Sequence, residues 1–260
     1  MPQAFLETSA LIELIFGNRD IRKKVEDCIL GRAEVISSRY VIYELAKGFL
    51  RYLILLHNKS QALTKFSELI EYSQAIRYRP HFQGTVLGSI KLFLEAQNIG
   101  NSDEERLIVF RSFIRGRIRR GWRDITRRIA HPLNDIGCRH DLLDPVIENG
   151  LYKMELKTNL CGINRNCDVK RFAATNRVLL AKIRDALKLI HPADAETQAR
   201  IPSLRELYRN PNDNFKGGDC WRSGDALITV EAPIDAVLVT KNKKHIDPIS
   251  KVAGQPCVYF

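Results

Sequence analysis

Glu7, Asp225 and Asn242 stand where short apolar runs give way to polar residues, which is where chemistry collects in an α/β protein. Glu7 follows Ala4-Phe5-Leu6 and precedes Thr8-Ser9-Ala10-Leu11. Gly224-Asp225-Ala226-Leu227-Ile228 opens a short helix, and the apolar run Ala236-Val237-Leu238-Val239-Thr240 ends at Lys241-Asn242. In a parallel sheet, polar residues at the carboxyl ends of neighbouring strands converge in one crevice. With the two chain ends as neighbours, Glu7, Asp225 and Asn242 face one another across a small cleft. Clustered carboxylates repel, so such a cleft invites a hard divalent cation.

The elements that must position these residues are legible in outline. Glu7 to Phe16 continues the first strand into a helix that stops at Gly17-Asn18. Asp20 is expected to cap a second helix carrying Ile21, Val25, Cys28 and Ile29 at helical spacing. Ala33 to Ile36 reads as a strand. Ser37 or Ser38 caps a long helix from Arg39 to about His57, and another follows from about Gln61 to Arg77. The order breaks at Arg79-Pro80. From His81 to Phe215 the chain reads as mostly helical and basic, with an Arg-rich helix near 103–129 and a second near Val169–Ile190. Between those helices lies a stretch expected to be irregular, and Pro192, Pro202 and Pro211 mark a loop-rich return. The expectation is an α/β fold, a small parallel sheet flanked by helices, made by residues 1–80 and 216–260 and interrupted by a helical insertion subdomain at 81–215.

Composition bounds the function classes. The chain has 260 residues, of which 45% are hydrophobic, which suffices for a core and excludes a disordered protein. No apolar run reaches the roughly 20 residues that cross a bilayer. The N-terminus lacks a secretory signal pattern, so the expected compartment is the cytoplasm. The net charge of +11 raises the prior for a polyanionic partner, most often nucleic acid.

Nine arginines and one acid, Asp124, lie between Arg106 and Arg128. Arg111, Arg115, Arg119, Arg123 and Arg127 recur at four-residue spacing and form one winding stripe beside the apolar positions Phe110, Ile114, Ile118, Ile125 and Ile129. Guanidinium forks suit phosphate oxygens, and the same stripe would attract an acidic protein partner. Cys138, His140, Cys161 and Cys167 would supply four soft ligands to Zn²⁺, although their spacing matches none of the common finger patterns. The competing reading is that these are buried cysteines with no metal.

The terminal segments resemble the PIN domain, an α/β nuclease fold. Leu6-Glu7-Thr8-Ser9-Ala10-Leu11 is similar to the family's opening strand end, with Glu in place of the usual Asp. Tyr43-Glu44-Leu45-Ala46-Lys47-Gly48-Phe49 is similar to its second, helical acid motif. Asp225-Ala226-Leu227-Ile228 is similar to its third, and Thr240-Lys241-Asn242-Lys243-Lys244-His245 to the strand end that follows. The resemblance covers roughly residues 1–79 and 217–260. It implies a Mg²⁺- or Mn²⁺-dependent endoribonuclease, with Glu7, Glu44 and Asp225 as metal-site acids and Asn242 as a neutral ligand or orienter of a bound water. Thr8, Ser9 and Thr240 would bond those ligands or the scissile phosphate, and Lys243 and Lys244 would lie against nucleic acid. The resemblance also implies a toxin or defence role, an antitoxin-like acidic partner, and pairing into homodimers. Two other readings stand beside it: a degenerate, non-catalytic module that binds RNA or protein, and a zinc-stapled DNA-binding regulator.

Overall fold

The first apolar run forms strand β1 (Ala4–Leu6), buried along its whole length, in a computed structural model that describes residues 1–96, 99–129, 131–138, 144–154, 168–209 and 217–260. Helices α1 (Thr8–Phe16) and α2 (Arg19–Ile29), strand β2 (Val35–Ile36) and helix α3 (Arg39–Leu45) follow. A π-helical turn, Ala46–Leu50, leads into α4 (Arg51–Gln61), α5 (Phe66–Ala75), α6 (Pro80–Leu94) and α7 (Asp103–Arg128). After the hairpin strands β3 (Val146–Glu148) and β4 (Leu151–Lys153) come α8 (Asp168–Thr175), α9 (Arg177–Lys188), α10 (Ala195–Arg209), α11 (Gly217–Arg222) and α12 (Gly224–Glu231). Strand β5 (Val237–Thr240), helix α13 (Lys243–Ala253) and strand β6 (Cys257–Tyr259) end the chain.

The protein is mixed α/β, with a four-stranded parallel sheet of order β2-β1-β5-β6 flanked by helices. Ala4, Phe5 and Leu6 stand opposite Val237, Leu238 and Val239. This register brings the two chain ends together. The Glu7 amide donates to the Val239 carbonyl at 3.2 Å, so Glu7 and Thr240 are neighbours at the carboxyl edge of the sheet. β1 and β5 read as unbroken apolar runs because helices cover both of their faces.

The chain divides into two compact units, but not at the expected boundaries. One unit comprises residues 1–44, 128–141 and 157–260, and the other comprises 45–127 and 142–156. The stretch 168–209, expected in an insertion, belongs with the sheet. Its helix α9 buries Leu180, Ile183 and Leu187 and packs on α10 and α13, while α10 packs on α11. An amphipathic helix must cover its apolar stripe, and here the partners come from the C-terminal segment. Leu133 also joins this unit: its amide donates to the Ser37 carbonyl at 2.9 Å, and its carbonyl accepts from Arg39 at 2.7 Å. Residues 45–80, expected in the sheet unit, belong to the other one.

That second unit is built on α4 to α7 and the hairpin. Phe66, Phe93 and Phe110 meet with ring centroids 5.2 to 5.6 Å apart, and α7 also buries Leu107, Ile114, Ile118, Trp122 and Ile125 along its length. The stretch Val146–Lys153, expected to be irregular, is a hairpin. Asn149 and Gly150 both take positive φ, at 50° and 78°, as a two-residue turn of the twist-matching type requires.

Other local expectations are corrected. Asn18, not Asp20, caps α2, with its Oδ1 accepting from the Ile21 amide at 2.9 Å. The helix expected over 61–77 is only Phe66–Ala75. The loop expected around Pro202 is helix α10. Asp194 caps it through the Thr197 amide at 2.7 Å, and packing on α8, α9 and α11 offsets the backbone bond that Pro202 removes. Among the described residues, no helix is long and apolar enough to cross a membrane.

Candidate metal centre

Glu7 is the turning point between β1 and α1. It caps α1, and its Oε2 accepts from the Ser9 amide at 3.0 Å, the Ser9 hydroxyl at 2.6 Å and the Thr240 hydroxyl at 2.9 Å. Thr240 Oγ1 in turn accepts from the Asn242 amide at 2.9 Å. Glu7 is therefore a buried acid that ties the end of β1 to the end of β5, and its Oε1 takes none of these bonds. The next residue, Thr8, donates its hydroxyl to Glu44 Oε2, which links α1 to α3.

Glu44 reaches the start of α12 because residue 224 is glycine. A Cβ at that position would stand 2.8 Å from Glu44 Oε1 and 3.6 Å from the Tyr40 hydroxyl. Tyr40 and Tyr43 hold this end of α3 against Trp221, and Tyr40 donates its hydroxyl to the Cys220 carbonyl at 3.0 Å. Asp225, in the first turn of α12, accepts at Oδ2 from Arg200 Nη2 at 2.6 Å and from Asn242 Nδ2 at 3.4 Å. Glu7, Glu44, Asp225 and Asn242 thus belong to one ring of contacts drawn from β1, α1, α3, α12 and the end of β5.

The electrostatics of this ring are those of too much negative charge in too little water. Burial, then the charge of Asp225, pushes the Glu7 carboxyl up to about 7 against the hydrogen bonds from Ser9 and Thr240. Burial pushes Glu44 up to about 8, opposed by the Thr8 hydroxyl and aided by the charges of Asp225 and Glu7. Asp225 is raised by burial in spite of Arg200. A divalent cation relieves this repulsion, and the all-oxygen donors of these three acids suit Mg²⁺ or Mn²⁺. The trio is looser than a closed cage. Among the described residues, the group whose ligand atoms lie within 4.8 Å of one another is Glu196, Asp225 and His245. An ion that keeps several of its waters, as Mg²⁺ does, fits acids spaced more widely than that.

No family model, curated protein or solved structure matches the chain. Geometry and chemistry alone bear on the activity.

The remaining sequence-predicted residues divide by position. Arg111 is committed to structure. Its Nε and Nη2 donate to the Ser60 carbonyl at 3.1 and 2.8 Å, and Nη2 also reaches the Leu63 carbonyl at 2.8 Å, closing the C-terminal end of α4. That corrects its expected place on the phosphate-binding stripe. Arg115, Arg119, Arg123 and Arg127 are exposed. Lys243 lies over the Tyr259 ring at 5.6 Å, and Lys244 pairs with Asp194 at 2.5 Å. Cys138 is buried, while His140, Cys161 and Cys167 lie outside the described residues.

Sequence reasoning gave no role to Arg200, Glu196 and His245, which lie around Asp225, or to Asp194, which pairs with His245. Glu196 and Arg200 are four apart, an ion-pair spacing that exists only on a helix. Reading that stretch as loop hid the signal.

Proposed function

We propose that this protein is a PIN-type, Mg²⁺- or Mn²⁺-dependent endoribonuclease that hydrolyses phosphodiester bonds in single-stranded or structured RNA. One observation carries the proposal: at the carboxyl edge of β1 and β5, Glu7 is linked through Thr240 and Asn242 to Asp225, and Glu44, bonded to Thr8, lies against Gly224 beside Asp225. Asp225, Glu44 and the Oε1 of Glu7 would hold the ion. When bound, it lowers the pKa of a coordinated water and offsets charge developing on the phosphate.

The chain's own groups do the positioning. Ser9 and Thr240 fix Glu7 through Oε2, so its extra methylene relative to Asp is absorbed by a pinned side chain rather than a floppy one. Thr8 fixes Glu44, and Asn242 spans from the Thr240 hydroxyl to Asp225. The exposed arginines of α7 supply affinity for the sugar–phosphate backbone without reading sequence. The same cationic face suits an acidic, antitoxin-like polypeptide as an inhibitor.

Asp225→Asn tests this reading. In Mg²⁺ or Mn²⁺ the wild type is expected to cut single-stranded RNA internally. The variant should bind that RNA with unchanged affinity and lose at least 100-fold in cutting rate. The non-catalytic alternative is favoured by a specific contact, the Arg200 guanidinium already seated on Asp225. Wild-type protein that binds RNA yet never cuts it in either metal would establish that alternative instead.

A further inference from the structure

Among the described residues of the sheet unit, Arg200 is the most deeply buried cation, with 2% of its side chain exposed. Its Nη2 lies 2.6 Å from Asp225 Oδ2, 2.9 Å from Glu196 Oε1 and 3.5 Å from His245 Nδ1. His245 Nδ1 is in turn 3.3 Å from Glu196 Oε1 and 4.0 Å from Asp225 Oδ2. One guanidinium nitrogen therefore sits among three atoms of the kind that ligate a metal. Nε is anchored on the Arg222 carbonyl at 3.0 Å, whereas Nη1 is buried with no hydrogen-bond partner among the described residues. An internal ion pair built only for stability would be expected to satisfy that donor as well.

A guanidinium keeps its charge at every accessible pH, so it leaves such a position by movement and never by losing a proton. Asp225 Oδ2 and His245 Nδ1 offer one oxygen and one nitrogen donor, a pair that suits Mn²⁺ better than Mg²⁺. Glu196, whose side chain is 60% exposed, is the latch on the solvent side. A divalent ion on Asp225 Oδ2 would meet the Arg200 guanidinium, 2.6 Å from the same oxygen, as a like charge in a site with little water, so the two oppose each other there.

We propose that Arg200 is a built-in competitor for the divalent cation, holding Asp225 until the ion displaces it. This rests on the metal-dependent reading above and adds a control that the reading does not require. If the displaced form is a minor population, the apparent affinity for the ion falls by that fraction, so a form present at about 1% weakens binding about 100-fold.

The test is Mn²⁺ binding at pH 8, followed by the electron paramagnetic resonance signal of free Mn²⁺. It compares the wild type with Arg200→Met, Glu196→Gln and Asp225→Asn. Methionine fills the space of the arginine stem without its charge, but it leaves Asp225 without its buried partner, so the fold of this variant is checked by circular dichroism before titration. Arg200→Met is expected to bind Mn²⁺ at least tenfold more tightly than the wild type. Glu196→Gln, which loosens the latch, should bind several-fold more tightly, and Asp225→Asn should lose the site. Wild-type or weaker affinity in both Arg200→Met and Glu196→Gln overturns the competition while leaving the metal site standing. Should Arg200→Met fail to fold, Glu196→Gln decides alone, because an acid serving as a ligand would weaken binding when neutralised. Absence of any Asp225-dependent Mn²⁺ in both wild type and Arg200→Met overturns the metal-dependent reading itself.

Discussion

Glu7 and Glu44 bind protons more tightly in the folded chain than in the unfolded one. Their carboxyls titrate at about 7 and about 8 in place of the ordinary 4.5. The folded state therefore holds more protons between pH 4.5 and 8, and stability must fall as pH rises through that window. For Glu7 alone the effect is on the order of 3 kcal/mol. The melting temperature of metal-free protein is expected to drop by several degrees between pH 5 and pH 8, and Mn²⁺ should raise it more at pH 8 than at pH 5. A flat profile would contradict the crowding of these acids. Gly224 offers a second test at this scale. In Gly224→Ala the new methyl must push Glu44 Oε1, the tip of a flexible side chain, out of its place, with little cost in stability. Titration calorimetry with Mn²⁺ should show affinity reduced at least tenfold. Glu7 and Asp225 were legible in the sequence because a strand end and a helix start announce themselves, whereas Glu44, inside α3, came from the resemblance alone. Gly224 was legible only as a neighbour of Asp225, since close approach across 180 residues leaves no local trace.

At the scale of elements, α7 separates structural arginines from exposed ones on a single helix. Arg111→Ala removes three bonds to the carbonyls of Ser60 and Leu63 and should destabilise the protein by about 1 to 3 kcal/mol in a urea titration. Arg119→Ala and Arg123→Ala should leave the urea midpoint unchanged and weaken RNA binding by filter assay. The four-residue arginine spacing revealed the stripe, but not that its first member folds back onto the end of α4. The Asn149-Gly150 turn of the β3–β4 hairpin was written plainly in sequence, and the surrounding cysteines drew attention from it. Pro202 misled in the opposite direction. Proline argues against a helix interior only where packing does not outweigh one missing backbone bond, and α10 is held on three sides by α8, α9 and α11.

The whole molecule carries a net charge of +11, and its affinity for RNA should be strongly salt-dependent. Each phosphate neutralised on a single strand contributes about −0.7 to the slope of log affinity against log salt, so the four exposed arginines of the stripe predict a slope of about −3. A slope near zero would remove the backbone from the interaction. The parallel sheet and the meeting of its two terminal segments followed from the apolar runs at either end. The division into units did not, because it depends on which amphipathic helix finds which partner. α9 settles against α13 and α10, and no pattern within α9 names them.

The central claim is that Glu7, Glu44 and Asp225 gather around one divalent ion. Anomalous diffraction from crystals saturated with Mn²⁺ at pH 8 tests it most directly. A single strong peak is expected in contact with Asp225 and with at least one of Glu7 and Glu44. A map with no peak in that cleft, and Arg200 still seated on Asp225, would contradict it.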